Sequence, residues 1–324
     1  MRKFGLAHRN LGKVGSVRPI SAINIINELS QKGMEFGTGP VIGLSESSIL
    51  LGRLVSEFIT HSPFIFSTRY PIQGMIGFIE PHSHFPNHYI NLNAIKDARE
   101  VCIVEDEITT GNTLLGLIQV LLDNLPDLKS IRVISLKMFC SAERIRQIQS
   151  MVLIRGARLY LNSIFRGTID CEEPLVIPPV LDKIETLPAY TSYLESGRGR
   201  TEPFYKPETR YTFWNNKITD IFQGVTVIGV SEAIDIAFEI SNLLEQRGCN
   251  ASFRHLTISP WDLPGWVFPG IRPLHLYYPI DESRKYIIVY DNPQQQDQVH
   301  MLNERLLSTG SQVTIIGPDN AQYE

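Results

Sequence analysis

The residues with the densest chemistry run Val101-Cys102-Ile103-Val104-Glu105-Asp106-Glu107-Ile108-Thr109-Thr110-Gly111-Asn112-Thr113-Leu114. An apolar run of this kind reads as a buried parallel strand, and it ends in two acidic residues. A small-residue turn follows, and then an apolar pattern at helical spacing through Leu114, Leu117, Ile118 and Leu121. A strand, a tight turn and a helix start gather several backbone N–H groups around one point, and the helix dipole makes that point favourable to a phosphate. Gly111 permits close backbone approach, and the hydroxyls of Thr109, Thr110 and Thr113 add donors. Glu105 and Asp106 lie where a phosphate would repel them. Carboxylates there suit sugar hydroxyls or a divalent cation, so a ribose 5-phosphate fits both halves. The plainer alternative is an ordinary strand-to-helix turn with a threonine cap and solvated acids.

Other stretches carry groups that could join this chemistry. Gly39-Pro40-Val41-Ile42-Gly43-Leu44-Ser45-Glu46-Ser47-Ser48 is a second apolar strand entering a small-residue turn, followed by a helix through Ile49, Leu50, Leu54, Val55 and Phe58. Phe64 to Tyr70 reads as a strand that ends near the cation Arg69. Glu80-Pro81-His82-Ser83-His84, with His88 beyond, concentrates imidazoles between two extended segments. His82 and His84 on one strand face would point the same way. They could contact substrate, act as acid and base near neutral pH, form a metal site with His88, or be structural.

Glu105-Asp106-Glu107-Ile108-Thr109-Thr110-Gly111-Asn112-Thr113 resembles the motif by which type I phosphoribosyltransferases bind 5-phosphoribosyl 1-pyrophosphate (PRPP). With the His-Ser-His stretch, it is most similar to the branch found with bacterial tellurite-resistance and stress-response operons, whose members often carry a C-terminal TRSP domain. The resemblance implies displacement of pyrophosphate from Mg²⁺-bound PRPP by a nucleobase-like nitrogen nucleophile. It implies that Glu105 and Asp106 hold the ribose hydroxyls and that Thr109, Thr110, Gly111, Asn112 and Thr113 hold the 5-phosphate. Ser45, Glu46 and Ser47 would hold the pyrophosphate, mostly through backbone N–H groups. Arg69, His82 and His84 would serve the leaving group and the base. No dedicated protein metal site is expected. A homodimer and stress-operon protein partners are further implications.

The elements that must position these residues follow from the rest of the chain. At 324 residues, with 43% hydrophobic and 20% charged content, the sequence suits two α/β domains with two cores. A formal net charge of −4 gives no reason to expect nucleic-acid binding. The N-terminus has no signal-like apolar region, and no apolar run approaches the roughly twenty residues of a membrane span, so neither secretion nor a membrane protein is expected. Cys102, Cys140, Cys171 and Cys249 lack CxxC spacing, which suits reduced thiols in a cytoplasm.

The expected architecture is a type I phosphoribosyltransferase-like parallel-sheet domain over 1–178, a linker over 179–212 and a second α/β domain over 213–324. The basic arm 1–19 reads either as solvated or as a cap bringing a cation to phosphate, and Ser21 reads as the cap of a helix ending at Gly33. The second half echoes the first. Val227-Ile228-Gly229-Val230-Ser231-Glu232 parallels Val41 to Glu46 about 186 residues later, and Tyr286 to Asp291 parallels Val101 to Asp106 at about 185. This predicts a degenerate copy, without phosphate binding because Asn292-Pro293-Gln294-Gln295 replaces the threonine loop. Thr257-Ile258-Ser259-Pro260 stands where the TRSP resemblance has Thr-Arg-Ser-Pro, with Ile258 in place of arginine. The alternatives to a transferase are a regulatory protein that binds PRPP without turnover and an interaction scaffold. The acceptor base and the second domain's ligand are not legible.

Overall fold

The computed structural model describes residues 8–72, 74–79, 87–168, 224–258, 263–270, 273–278 and 285–317. The expected linker, Glu80, His82 and His84 lie outside the described residues. Two compact units are present, and the division falls after Ile25 at the N-terminal end.

In the first unit the elements are α1 (Pro19–Gln31, crossing the division), β1 (Val41–Gly43), α2 (Ser47–Val55), β2 (Phe64–Phe66), β3 (Ile76–Ile79) and β4 (Asn87–Ile90). They continue with β5 (Glu100–Ile108), α3 (Asn112–Asn124), β6 (Ser130–Met138), α4 (Ala142–Ile154) and β7 (Arg158–Arg166). Five strands form one sheet in the order β2-β1-β5-β6-β7, and every pairing within it is parallel. Strands buried on both faces must be apolar throughout, and Val101 to Val104 are fully buried at the centre. Leu114, Leu117, Ile118 and Leu121 of α3 form the stripe that closes over them, packing with Ile42, Ile65, Ile131 and Val133. The helix stops where Pro126 disfavours helical geometry at Leu125.

The second unit contains β8 (Val225–Val230), α5 (Ile234–Gln246), β9 (Ala251–Leu256), β10 (Gly265–Phe268), β11 (Leu274–Tyr277), β12 (Lys285–Val289), α6 (Gln296–Leu307) and β13 (Gln312–Ile316). Its sheet runs β13-β12-β8-β9, again all parallel. Counting only sheet strands along the chain, both units follow the order 2-1-3-4, and the first adds a fifth strand at the edge.

Finer features repeat too. An antiparallel hairpin intervenes between the second and third sheet strands in each unit, β3–β4 in one and β10–β11 in the other. Each hairpin is tied to the end of the second sheet strand by one isolated bridge, Thr68 with Tyr89 and Thr257 with His275. The expected copy is thus present at the level of topology. The bridges also align Thr68-Arg69 with Thr257-Ile258, so the arginine of the first unit is isoleucine at the matching place in the second.

Three sequence expectations change. The described arm does not float in solvent. It clusters with the second unit, where Val17 pairs antiparallel with Phe253 and the His255 amide donates to Gly12 O at 3.0 Å. The edge of β9 would otherwise expose unpaired backbone groups, and the arm satisfies part of it. Helix α1 begins at Pro19 rather than after Ser21, because proline is pre-organised for a first helical position. β2 ends at Phe66, so Arg69 lies beyond the strand rather than on it. None of the described helices is long and apolar enough to cross a membrane.

Gly43 shows why the strand-to-helix turn after β1 is sequence-specific. A Cβ there would lie 2.6 Å from the Ser48 carbonyl oxygen. Gly43→Ala should therefore cost about 1–3 kcal/mol through forced backbone shifts. Urea denaturation with an unchanged midpoint would show that the turn can yield.

Candidate active site

The parallel register of β1 on β5 sets Gly43 beside Val104, so the next residues of both strands emerge together at their carboxyl ends. Ser45, Glu46 and Ser47 form the turn into α2 on one side, and Glu105 and Asp106 continue β5 on the other. In open parallel sheets this is the switch point, where neighbouring connections leave in opposite directions and a crevice opens.

One hydroxyl joins the two sides. Ser48 Oγ donates to Glu105 Oε1, lies 3.4 Å from Asp106 Oδ1 and accepts the Asp106 amide at 2.9 Å. The same amide also reaches Glu105 Oε1 at 3.0 Å. Ser48 is fully buried. Burial, and next the charge of Asp106, push the Glu105 carboxyl well above the usual carboxylate range. Glu105 is therefore inclined to keep a proton.

The turn after β1 is anchored from β2. The Ser45 amide donates to Ser67 Oγ at 3.0 Å, and Ser45 Oγ donates to Ser67 O at 2.8 Å. Ser67 Oγ also meets His88 Nδ1 at 3.1 Å, and the His88 ring stacks on Phe78 at 4.9 Å. His88 is 1% exposed. It is a buried support for the turn, and the metal alternative with His82 and His84 loses this ligand. Among the described residues no group of three or more His, Cys, Asp or Glu side chains could hold a metal ion. Arg69 does reach the turn, with Nη2 3.5 Å from Ser45 O.

The threonine loop joins β5 to α3 as its sequence requires. Gly111 has φ 75°, the left-handed region, and immediately precedes Asn112, with no side-chain cap on the helix. Thr110 Oγ1 accepts the Asn112 amide at 3.3 Å, and the other N–H groups in the first turn of a helix are what an anion can use. Thr110 is exposed, while Thr109, Asn112 and Thr113 are half-buried. The loop leans on α4: a Cβ on Gly111 would lie 2.9 Å from Cys140 Sγ, and Arg144 Nη2 donates to Asn112 Oδ1 at 2.5 Å.

A family model described as phosphoribosyl transferase matches residues 1–168. The chain belongs to the phosphoribosyltransferase family. It is a phosphoribosyltransferase enzyme, and the parallel sheet of the first unit lies within the matched residues. Among solved structures, adenine phosphoribosyltransferase from Trypanosoma brucei, in complex with AMP, pyrophosphate and ribose-5-phosphate, is similar over 48% of this chain and 68% of its own. The identity is 14% and the TM-score 0.35. Adenine phosphoribosyltransferase from Rhodothermus marinus is similar at 14% identity and TM-score 0.36, over 46% of this chain and 80% of its own. The Leishmania donovani enzyme gives 13% identity and TM-score 0.34, over 49% and 73%. No curated protein matches the sequence.

Ser48 and Arg144 had no assigned role in the sequence reading. Ser48 reads as an ordinary early helix residue, and Arg144 meets Asn112 across 32 positions with no shared local pattern.

The raised pKa of Glu105 has a pH consequence. A folded-state pKa raised above the ordinary value of 4.5 means that Glu105 contributes fully to stability below that value. The contribution is lost as pH rises through the raised folded pKa. Glu105→Gln should flatten this part of the profile, so that it gains on the wild type as pH climbs from 4.5. Parallel denaturation profiles for the two proteins would show that Glu105 ionises without penalty.

Proposed function

We propose that this enzyme transfers the 5-phosphoribosyl group of PRPP to a nitrogenous base or base-like acceptor, releasing pyrophosphate, for a nucleotide-like metabolite of a stress response. The stress role rests on the sequence resemblance to the tellurite-operon branch and to its TRSP domain. The observation that carries the chemistry is the meeting of the Ser45–Ser47 turn with Glu105 and Asp106 at adjacent strand ends, beside the threonine loop.

In this reading the C1–oxygen bond of PRPP breaks with its electron pair leaving on pyrophosphate, and the acceptor nitrogen lone pair forms the C1–nitrogen bond. The ribose passes through an oxocarbenium-like state. Asp106 accepts from the ribose hydroxyls. Glu105 retains a proton and shapes the pair through Ser48. Residues Thr109, Thr110, Gly111, Asn112 and Thr113 grip the 5-phosphate, so that the reacting carbon is held while bonds exchange.

The turn at Ser45, Glu46 and Ser47 presents backbone groups to pyrophosphate, and the Arg69 guanidinium offsets the negative charge that develops there. The Ser45 hydroxyl is already committed to Ser67, which is consistent with backbone rather than side-chain contacts. His82 and His84 are assigned to the base or the leaving group, where an imidazole can take the acceptor's proton. Mg²⁺ favours hard oxygen ligands, which Asp106 and the pyrophosphate oxygens would supply, and when bound it would neutralise leaving-group charge.

PRPP consumption with pyrophosphate release, measured with Mg²⁺ and a panel of bases, tests this beside Asp106→Asn. Release that depends on one base and falls about a hundredfold or more in the variant is expected, as for loss of a charged contact made in the transition state. Tight PRPP binding with no release for any base would instead identify a regulatory binder.

A further inference from the structure

The threonine loop offers amides, a helix dipole and neutral hydroxyls, but no cation of its own. One arrives from α4. Ser141 caps that helix by accepting the Arg144 amide at 3.2 Å, which fixes the backbone from which the Arg144 side chain extends. Its Cγ would lie 3.6 Å from a Cβ on Gly111, and its Nη2 donates to Asn112 Oδ1 at 2.5 Å. Nη1 reaches Gln147 Oε1 at 3.3 Å. Both partners are neutral amide oxygens. Some other described arginines pair with carboxylates, Arg53 with Glu57, Arg132 with Glu35 and Glu100, and Arg155 with Asp123, whereas Arg166 and Arg254 bond neutral oxygens. Arg144 is half-buried against the first residue of α3, and among the described residues it pairs with no carboxylate.

We propose that Arg144 is the cationic contact for the 5-phosphate and the residue that makes the enzyme select a 5-phosphorylated ribose. This rests on the reading of the threonine loop as the phosphate subsite. A phosphate monoester carries close to two negative charges, and a guanidinium recognises it through charge-assisted hydrogen bonds. Asn112 Oδ1 keeps the guanidinium at the loop. An arriving phosphate is the stronger acceptor and replaces that neutral partner without large movement of α4.

The test is calorimetric binding of ribose 5-phosphate, and separately of pyrophosphate with Mg²⁺, to the full chain. The proteins are the wild type, Arg144→Gln, Arg144→Lys, Asn112→Ala and the double variant Arg144→Gln with Asn112→Ala. Arg144→Gln should weaken ribose 5-phosphate binding by about tenfold or more, the scale of a charge-assisted hydrogen bond. Its pyrophosphate binding should stay within about twofold, which also reports an intact fold, since these ligands occupy different subsites. Arg144→Lys should recover part of the loss, and the salt dependence of ribose 5-phosphate binding should flatten in Arg144→Gln.

Unchanged ribose 5-phosphate affinity in Arg144→Gln would overturn the proposal. So would a double variant, Arg144→Gln with Asn112→Ala, that binds ribose 5-phosphate no more weakly than Asn112→Ala alone, because Arg144 would then act only by holding Asn112. Wild-type protein that binds pyrophosphate but not ribose 5-phosphate would overturn it too. Wild-type protein that binds neither ligand would overturn the transferase site itself, and the inference with it.

Discussion

Everything in the candidate site depends on the pairing of β1 with β5. These strands are far apart in sequence, yet their parallel register brings Gly43 level with Val104 and so fixes which side chains meet beyond the strand ends. A slip by one residue would send each strand's side chains to the opposite face and separate Ser48 from the acidic pair. Gly43 contributes by its missing Cβ, which lets the Ser48 carbonyl fold close over the strand. Ser48 Oγ then spans the two elements, so one small hydroxyl couples the turn after β1 to both carboxylates. Neither group of residues could present this arrangement alone.

The second unit shows what remains when that frame is kept and its chemistry is removed. β8 and β12 repeat the pairing, with Gly229 level with Val289, and a Cβ on Gly229 would collide with the Ala233 carbonyl oxygen at 2.8 Å. Asp291 stands where the first unit has Asp106. The loop after it is different in kind. Asn292 folds its side chain back to accept the Gln294 amide at 3.0 Å, and Pro293 has no N–H to offer. A short helical turn occupies the place where α3 starts in the first unit, although Thr110 Oγ1 there accepts the Asn112 amide in a similar way. Retained topology with lost donors is what a duplicated domain released from phosphate binding would keep, because the core constrains the strands and only a ligand constrains the loop.

Much of this was legible along the chain where the signal is local. The run from Val101 to Leu122 contains its own strand, turn and helix, and α3 begins at Asn112 directly after the glycine that the turn needs. The echo between the two halves was legible because strand-end patterns survive duplication. Contacts between distant segments were not. His88 looked like a partner for His82 and His84, but the hairpin register sets it opposite Phe78, where it stacks and bonds Ser67. The basic arm looked like a companion for phosphate, because composition reports charge and cannot report that β9 has an edge to cover. Arg144 was silent for the same reason: its meaning comes from where α4 packs.

The contrast between the two units also bears on why the first is the catalytic one. In the first, Thr110 is exposed and Glu105 and Asp106 are half-buried. In the second, Ser231, Glu232, Asp291 and Asn292 are at most 4% exposed. A polar group so enclosed serves the packing around it, since an arriving anion would have to displace structure to reach it. The substitution of Ile258 for the arginine at the matching place removes the charge that could offset such an approach. Burial and loop chemistry therefore differ between two sheets of one architecture, and on the proposed reading the phosphoribosyl chemistry belongs to the first.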